Sequence, residues 1–154
     1  MKKIVVLLLA VFAFFSSVNA QSFSIGGALN VSASSGIGTD IEASVLFGIT
    51  DLARVGPLGI DARLEANLAV NSAGLGFSVG AAALATFAVD IVTIYAGPQL
   101  VFVLAPTVPD PVRIGAIVGA RYQIATGVFA FGELNLLFTN PIFWRIRVGA
   151  TLSI

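Results

Sequence analysis

Residues 60–71 read I-D-A-R-L-E-A-N-L-A-V-N. Taken in steps of two, Ile60, Ala62, Leu64, Ala66, Leu68 and Val70 form an apolar set, and Asp61, Arg63, Glu65, Asn67, Ala69 and Asn71 a polar one. A strand throws successive side chains to opposite faces, so this segment is a strand with a dry face and a charged face. On a helix the charges at 61, 63 and 65 would scatter around the axis. The surrounding chain is 57% hydrophobic and only 10% charged, far below the ~25% charged residues of an ordinary soluble domain. A charged inner face and an apolar outer face in so apolar a chain are the pattern of a transmembrane β-barrel.

The same alternation recurs along the chain. Ile41, Ala43, Val45, Phe47 and Ile49 oppose Glu42 and Ser44; Val112, Ile114, Ala116, Val118, Ala120 and Tyr122 oppose Arg113, Gly115, Gly119, Arg121 and Gln123. Leu134 and Leu136 flank Glu133 and Asn135, and Trp144, Ile146, Val148, Ala150, Leu152 and Ile154 oppose Arg145, Arg147, Thr151 and Ser153. Gly, Pro, Asn, Asp and Ser punctuation divides the chain into eight runs, at 22–31, 40–50, 59–71, 75–86, 91–104, 112–124, 128–138 and 143–154. Each is long enough to cross a bilayer as a tilted strand of ~9–11 residues. The expected fold is all-β: a closed, antiparallel, up-and-down transmembrane barrel of eight strands. The fourth run carries only glycines, Ser78 and Ala82 on its inner face, and residues 75–104 can also be drawn as a helical hairpin broken at Asp90. The aligned charges elsewhere argue against helices. Pro98 lacks an N–H, so a bulge or local break is expected at Gly97-Pro98.

Residues 1–20 are expected to be a cleaved signal peptide. Lys2 and Lys3 form its positive start, residues 4–15 its apolar stretch, and Val18-Asn19-Ala20 its cleavage site. That apolar stretch is too short to span a membrane, which takes ~20 residues as a helix. The barrel domain is then 21–154, with both ends expected on the periplasmic side of a bacterial outer membrane. The surface connections are expected at 32–39, 72–74, 105–111 and 139–142, and the periplasmic ones at 51–58, 87–90 and 125–127. Phe77, Phe102, Phe138 and Trp144 then fall at the surface ends of strands, and Phe23, Phe47 and Tyr122 at the periplasmic ends. Two such aromatic girdles mark the interfaces of a membrane barrel.

Both lysines precede residue 21, so the barrel's six basic residues are all Arg, against eight acids. This is no basic footprint for nucleic acid and no polybasic lipid patch. The chain has no Cys and no His. It therefore lacks thiolate chemistry, the commonest metal ligand and the usual general base. No cofactor or metal is expected. Ser34 and Ser35 sit in a Gly-Ser loop with no base near them, so they read as turn residues. The inward set holds Glu42, Asp61, Glu65 and Glu133 against Arg63, Arg113, Arg121, Arg145 and Arg147. The interior of an eight-strand barrel is only wide enough for side chains, where an unpaired charge is costly. A paired lumen network is expected, and carboxylates neutralised by arginines serve poorly as proton donors. The surface loops hold no aromatic or Arg anchor of the kind that makes a binding hot spot.

The segments I-Y-A-G-P-Q-L-V-F (94–102) and G-A-R-Y-Q-I-A-T-G-V-F-A-F-G-E-L-N (119–135) resemble the small outer-membrane β-barrels typified by the OmpA membrane domain and by OmpX. The second resembles that group's Gly-x-x-Tyr strand, short Gly turn and strand with an inward Glu. The resemblance implies that Glu133 pairs with a lumen arginine, with Arg121, Arg145 and Arg147 as the choices. It also implies outer-membrane lipids and the barrel-assembly machinery as partners. The chain departs from the pattern at Ile154, where that machinery usually reads an aromatic. The expected function is a non-enzymatic structural or envelope-integrity barrel, with a narrow or gated pore for ions or small solutes as the alternative.

Overall fold

A computed structural model of the protein describes residues 22–34, 37–71, 74–106 and 111–154. The expected signal peptide, Ser35 and residues 107–110 of the expected 105–111 connection lie outside these residues. The strands are β1 (Ser22–Ser34), β2 (Ile37–Val55), β3 (Leu58–Asn71), β4 (Gly74–Val89), β5 (Val92–Ala105), β6 (Val112–Ala125), β7 (Val128–Leu137) and β8 (Phe143–Ser153). They pair in chain order, all antiparallel, and β8 closes on β1. The helical hairpin is thereby excluded: 75–104 forms β4 and β5, joined by a turn at Asp90 and Ile91. Closure leaves no sheet edge, which is the condition for strands to cross a bilayer.

The terminal residues meet at one end of the barrel, where Phe23 and Ile154 exchange backbone hydrogen bonds of 3.1 and 2.8 Å. That terminal end also carries the turns after β2, β4 and β6. The far end carries the connections after β1, β3, β5 and β7.

Two expectations about connections are corrected. Residues 51–58 are not a loop: β2 runs on to Val55, and only Gly56 and Pro57 turn. The polar residues that resembled a loop are absorbed by a bulge, across which the β2–β3 register shifts between Ile49 and Ala53. Asp51 adopts φ 58 there, and the Asp61 carboxylate accepts its N–H at 2.9 Å. Likewise 32–39 is not an eight-residue loop, since β1 reaches Ser34 and β2 begins at Ile37.

At Pro98 the ladder breaks without a bulge. Ala82 pairs with Gln99 and Ala85 with Ala96, in one unbroken register, while Ala83 and Leu84 drop out opposite Gly97 and Pro98. The chain passes close here, because a methyl at Gly97 would collide with the Ala83 carbonyl.

The faces separate by polarity. Leu29, Ile41, Leu64, Val70, Ile114 and Val148 are among the large apolar side chains exposed on the outer wall. Inside, two small apolar clusters, Ala28–Leu46–Phe131 and Leu84–Tyr95–Ile117, line opposite walls. Between them lies a core of polar and charged side chains.

Candidate functional site

Arg147 on β8 is fully enclosed, at 0% exposure. Its Nη1 donates to Glu65 Oε2 at 2.6 Å and to Glu133 Oε1 at 2.8 Å. Its Nε donates to Asn30 Oδ1 at 2.8 Å and its Nη2 to Asn67 Oδ1 at 3.1 Å. All three guanidinium nitrogens are thus engaged, by residues from β1, β3 and β7.

Glu133 is the second hub. Arg63 holds both of its oxygens, Nη1 on Oε2 at 2.7 Å and Nη2 on Oε1 at 3.0 Å. This is the fork geometry in which guanidinium and carboxylate match best. Tyr95 donates its hydroxyl to Oε2 at 2.9 Å, and Asn135 donates to Oε1 at 3.0 Å. Since β3 and β7 face each other across an eight-strand ring, the Arg63–Glu133 clasp spans the lumen from wall to wall.

Toward the far end, Arg145 Nη2 lies 2.8 Å from Glu42 Oε2, and Ser32 donates to the other oxygen of Glu42 at 2.8 Å. Below the clasp, Arg121 donates to Asp61 at 2.8 Å and lies over the Phe129 ring, 5.6 Å from its centre. A neutral chain links these groups: Asn30 donates to the Ser44 hydroxyl, which donates to Asn67 Oδ1, each at 2.6 Å.

The lumen residues singled out from sequence are therefore placed as follows. Glu42, Asp61, Arg63, Glu65, Arg121, Glu133, Arg145 and Arg147 all point inward and all take part in ion pairs. Arg113 points inward near the far end, half-buried, with no carboxylate within ion-pair distance among the described residues. Of the three arginines the resemblance offered to Glu133, only Arg147 takes it, because Arg121 pairs with Asp61 and Arg145 with Glu42. The further partner is Arg63. The aromatics Phe23 and Tyr122 are exposed on the outer wall at the terminal end and Phe77, Phe102, Phe138 and Trp144 toward the far end, whereas Phe47, also exposed, sits nearer mid-wall, opposite Leu64 in the middle of β3. Phe87, exposed as well, joins the terminal-end group.

Sequence reasoning missed two features of the site. Tyr95 was hidden in an apolar run, where its inward parity carried no charged marker. The other is the space for the hubs. Glu65 pairs across the sheet with Gly80, and Glu133 with Gly119. A methyl at Gly80 would sit 2.9 Å from Glu65 Cγ, and one at Gly119 would sit 2.7 Å from Glu133 Cβ. Glycine opposite each central glutamate is the signal that was available.

On the terminal side of the clasp the lumen opens into a cup of about 240 Å³. Leu84, Tyr95 and Phe131 form its apolar base, and Thr93, Gln123 and Thr151 are on its polar wall. No cluster of metal-ligating side chains occurs among the described residues.

No protein-family model matches the chain, and no curated protein matches it in sequence. Solved structures do match its fold. The outer membrane enzyme PagL superposes with a TM-score of 0.66 at 12% identity, covering 85% of this chain and 99% of PagL. Ail, the attachment invasion locus protein of Yersinia pestis, gives 0.59 at 10% identity, over 87% of this chain and 97% of Ail. Neisserial surface protein A gives 0.54 at 15% identity, over 87% of this chain and 97% of that protein. At these identities the likeness is one of architecture: the chain has the fold of the small eight-strand outer-membrane β-barrels.

Proposed function

We propose that this chain is a non-enzymatic integral barrel of the bacterial outer membrane, with a lumen closed by its own charge pairs and a structural role in the envelope. The single observation that carries the reading is the Arg63–Glu133–Arg147–Glu65 cluster. It crosses the lumen and is almost wholly shielded from solvent. Deleting one partner of a buried pair of this kind costs ~3–5 kcal/mol, so the cluster is strongly held in the closed arrangement. The location is supported by the apolar outer wall, the even strand number and the architecture shared with solved outer-membrane barrels. The lipids of that membrane and its barrel-assembly machinery are the expected partners, and the end carrying both termini is the periplasmic one.

Fold alone does not assign chemistry, since an enzyme and an attachment protein share this architecture. The lumen speaks against catalysis here. The chain has no His, and the inward carboxylates are held by guanidiniums at 2.6–2.8 Å. Charge-paired carboxylates of this kind are poor proton carriers.

The test is conductance of the refolded protein in planar bilayers. A closed lumen gives no steady conductance, and Arg63→Ala or Glu133→Ala lowers stability. Steady conductance that these same substitutions increase would overturn the proposal in favour of a gated pore.

A further inference from the structure

The cup on the terminal side of the clasp is a shaped cavity that the charge network leaves unused. Its charged groups are paired with one another, Arg121 with Asp61 at 2.8 Å, Arg63 with Glu133 at 2.7 Å and Arg54 with Asp51 at 3.0 Å, although the Nε of Arg63 and of Arg121 has no hydrogen-bond partner among the described residues. Each guanidinium is already neutralised by a carboxylate, so an anion entering the cup gains little net attraction, and it would pass Asp90 on the rim. Net charge is therefore not what the cup selects.

Beside those two guanidinium N–H donors, the free groups are neutral. Ser22 and Thr50 hydrogen-bond to each other, whereas the side chains of Thr93, Gln123, Thr151 and Ser153 line the cavity without a protein partner among the described residues. Hydroxyls both donate and accept, and an amide does the same from its two ends. Such a wall matches a ligand whose rim is also hydroxyl. The base is different: Phe131 on one wall and Leu84 on the other are buried apolar side chains, and the Phe131 ring is the flat one. A volume of about 240 Å³ is the share of roughly eight water molecules and falls below the ~300–1,000 Å³ of sites for drug-sized ligands.

We propose that this cup is a binding site for a small neutral polyhydroxylated solute of monosaccharide size, its hydroxyls on the Thr93–Gln123–Thr151–Ser153 wall and its C–H face on the Phe131 ring. The proposal is independent of the structural role above. The site is shallow, uncharged and open to one side of the membrane, so its affinity falls in the millimolar range.

The test is amide NMR of the folded, isotope-labelled protein in micelles, titrated with D-glucose and separately with sodium acetate. Glucose shifts the amides of Thr93, Gln123 and Thr151 saturably and leaves Ser32 and Asn67, beyond the clasp, unmoved. The double variant Thr93→Val/Gln123→Leu, verified as folded by the same spectrum, binds about tenfold more weakly through the loss of its hydrogen bonds. Glucose shifts that stay linear to roughly 100 mM, saturation by acetate instead of glucose, or unchanged glucose binding by the folded double variant would each overturn the assignment.

Discussion

At the scale of single residues, Arg147 is where the lumen is most sensitive. Removing its side chain leaves Glu65 Oε2 and Asn30 Oδ1 without a hydrogen-bond donor among the described residues and takes one donor each from Glu133 and Asn67. Arg147→Ala should cost ~3–5 kcal/mol, the range for breaking a buried pair by deleting one partner. Arg113→Ala, half-buried and outside the ion pairs of the described residues, should stay within ~0.5 kcal/mol. Urea unfolding of the refolded barrel in lipid vesicles checks both. The clasp allows a stricter measurement. Arg63→Leu and Glu133→Leu each leave a buried charge behind, whereas the double variant leaves neither. The double variant should therefore be more stable than the sum of the single losses allows, with a coupling of ~1–3 kcal/mol. Additive losses would mean that the bidentate contact contributes nothing. The inward parity of every one of these residues was legible in the sequence because charges on a strand keep their period of two. Their partners were not. Which arginine meets which acid across a barrel depends on strand tilt and stagger, and neither leaves a trace in a single strand's alternation. Glu133 accordingly takes Arg63 on the opposite wall, not Arg121 on the strand beside its own.

At the scale of elements, the strands with the weakest pattern make room for the strongest contacts. The inner face of β4 is read poorly because it is glycine-rich, yet Gly80 sits directly opposite Glu65. Gly119 on β6 stands opposite Glu133, with Tyr95 Cζ and Glu133 Cβ within 2.8 Å of where a methyl would go. Gly119→Val should overpack this point and cost ~1–3 kcal/mol. Denaturant unfolding measures the loss, and a hydrogen-exchange map should place it around Glu133 and Tyr95. An unchanged midpoint would mean that the lumen is looser than these distances imply. The β2–β3 hairpin shows the opposite failure of sequence reasoning. Asp51 together with Gly56-Pro57 has the composition of a loop, but tertiary context overrides it. Asp61, itself an inward charge, accepts the Asp51 N–H and keeps the strand going through a bulge. One carboxylate thus serves both the wall, by anchoring β2, and the lumen, by pairing with Arg121. Its first role could not be inferred from alternation, because it depends on a backbone group of the neighbouring strand.

At the scale of the molecule, the barrel is an inside-out protein: a polar, hydrogen-bonded core within an apolar shell. The shell has no need of internal packing, because lipid covers it, and the core needs little apolar area, because ion pairs fill it. This division explains why the fold was readable from composition and period alone while the site was only half readable. The outer face answers to a uniform solvent, the bilayer, and so repeats along every strand. The inner face answers to specific partners and does not. The shell's orientation can be tested at one position. Trp144 is the chain's single tryptophan; it is exposed on the outer wall, one residue inside the start of β8 at the far end. Tryptophan favours the headgroup level of a membrane. On insertion into vesicles its emission should shift to the blue. Lipids carrying a quencher near the headgroup should suppress it more strongly than lipids carrying the quencher at the bilayer centre. Strongest quenching from the bilayer centre would place β8 too deep and would mean that the aromatic residues do not mark the interfaces.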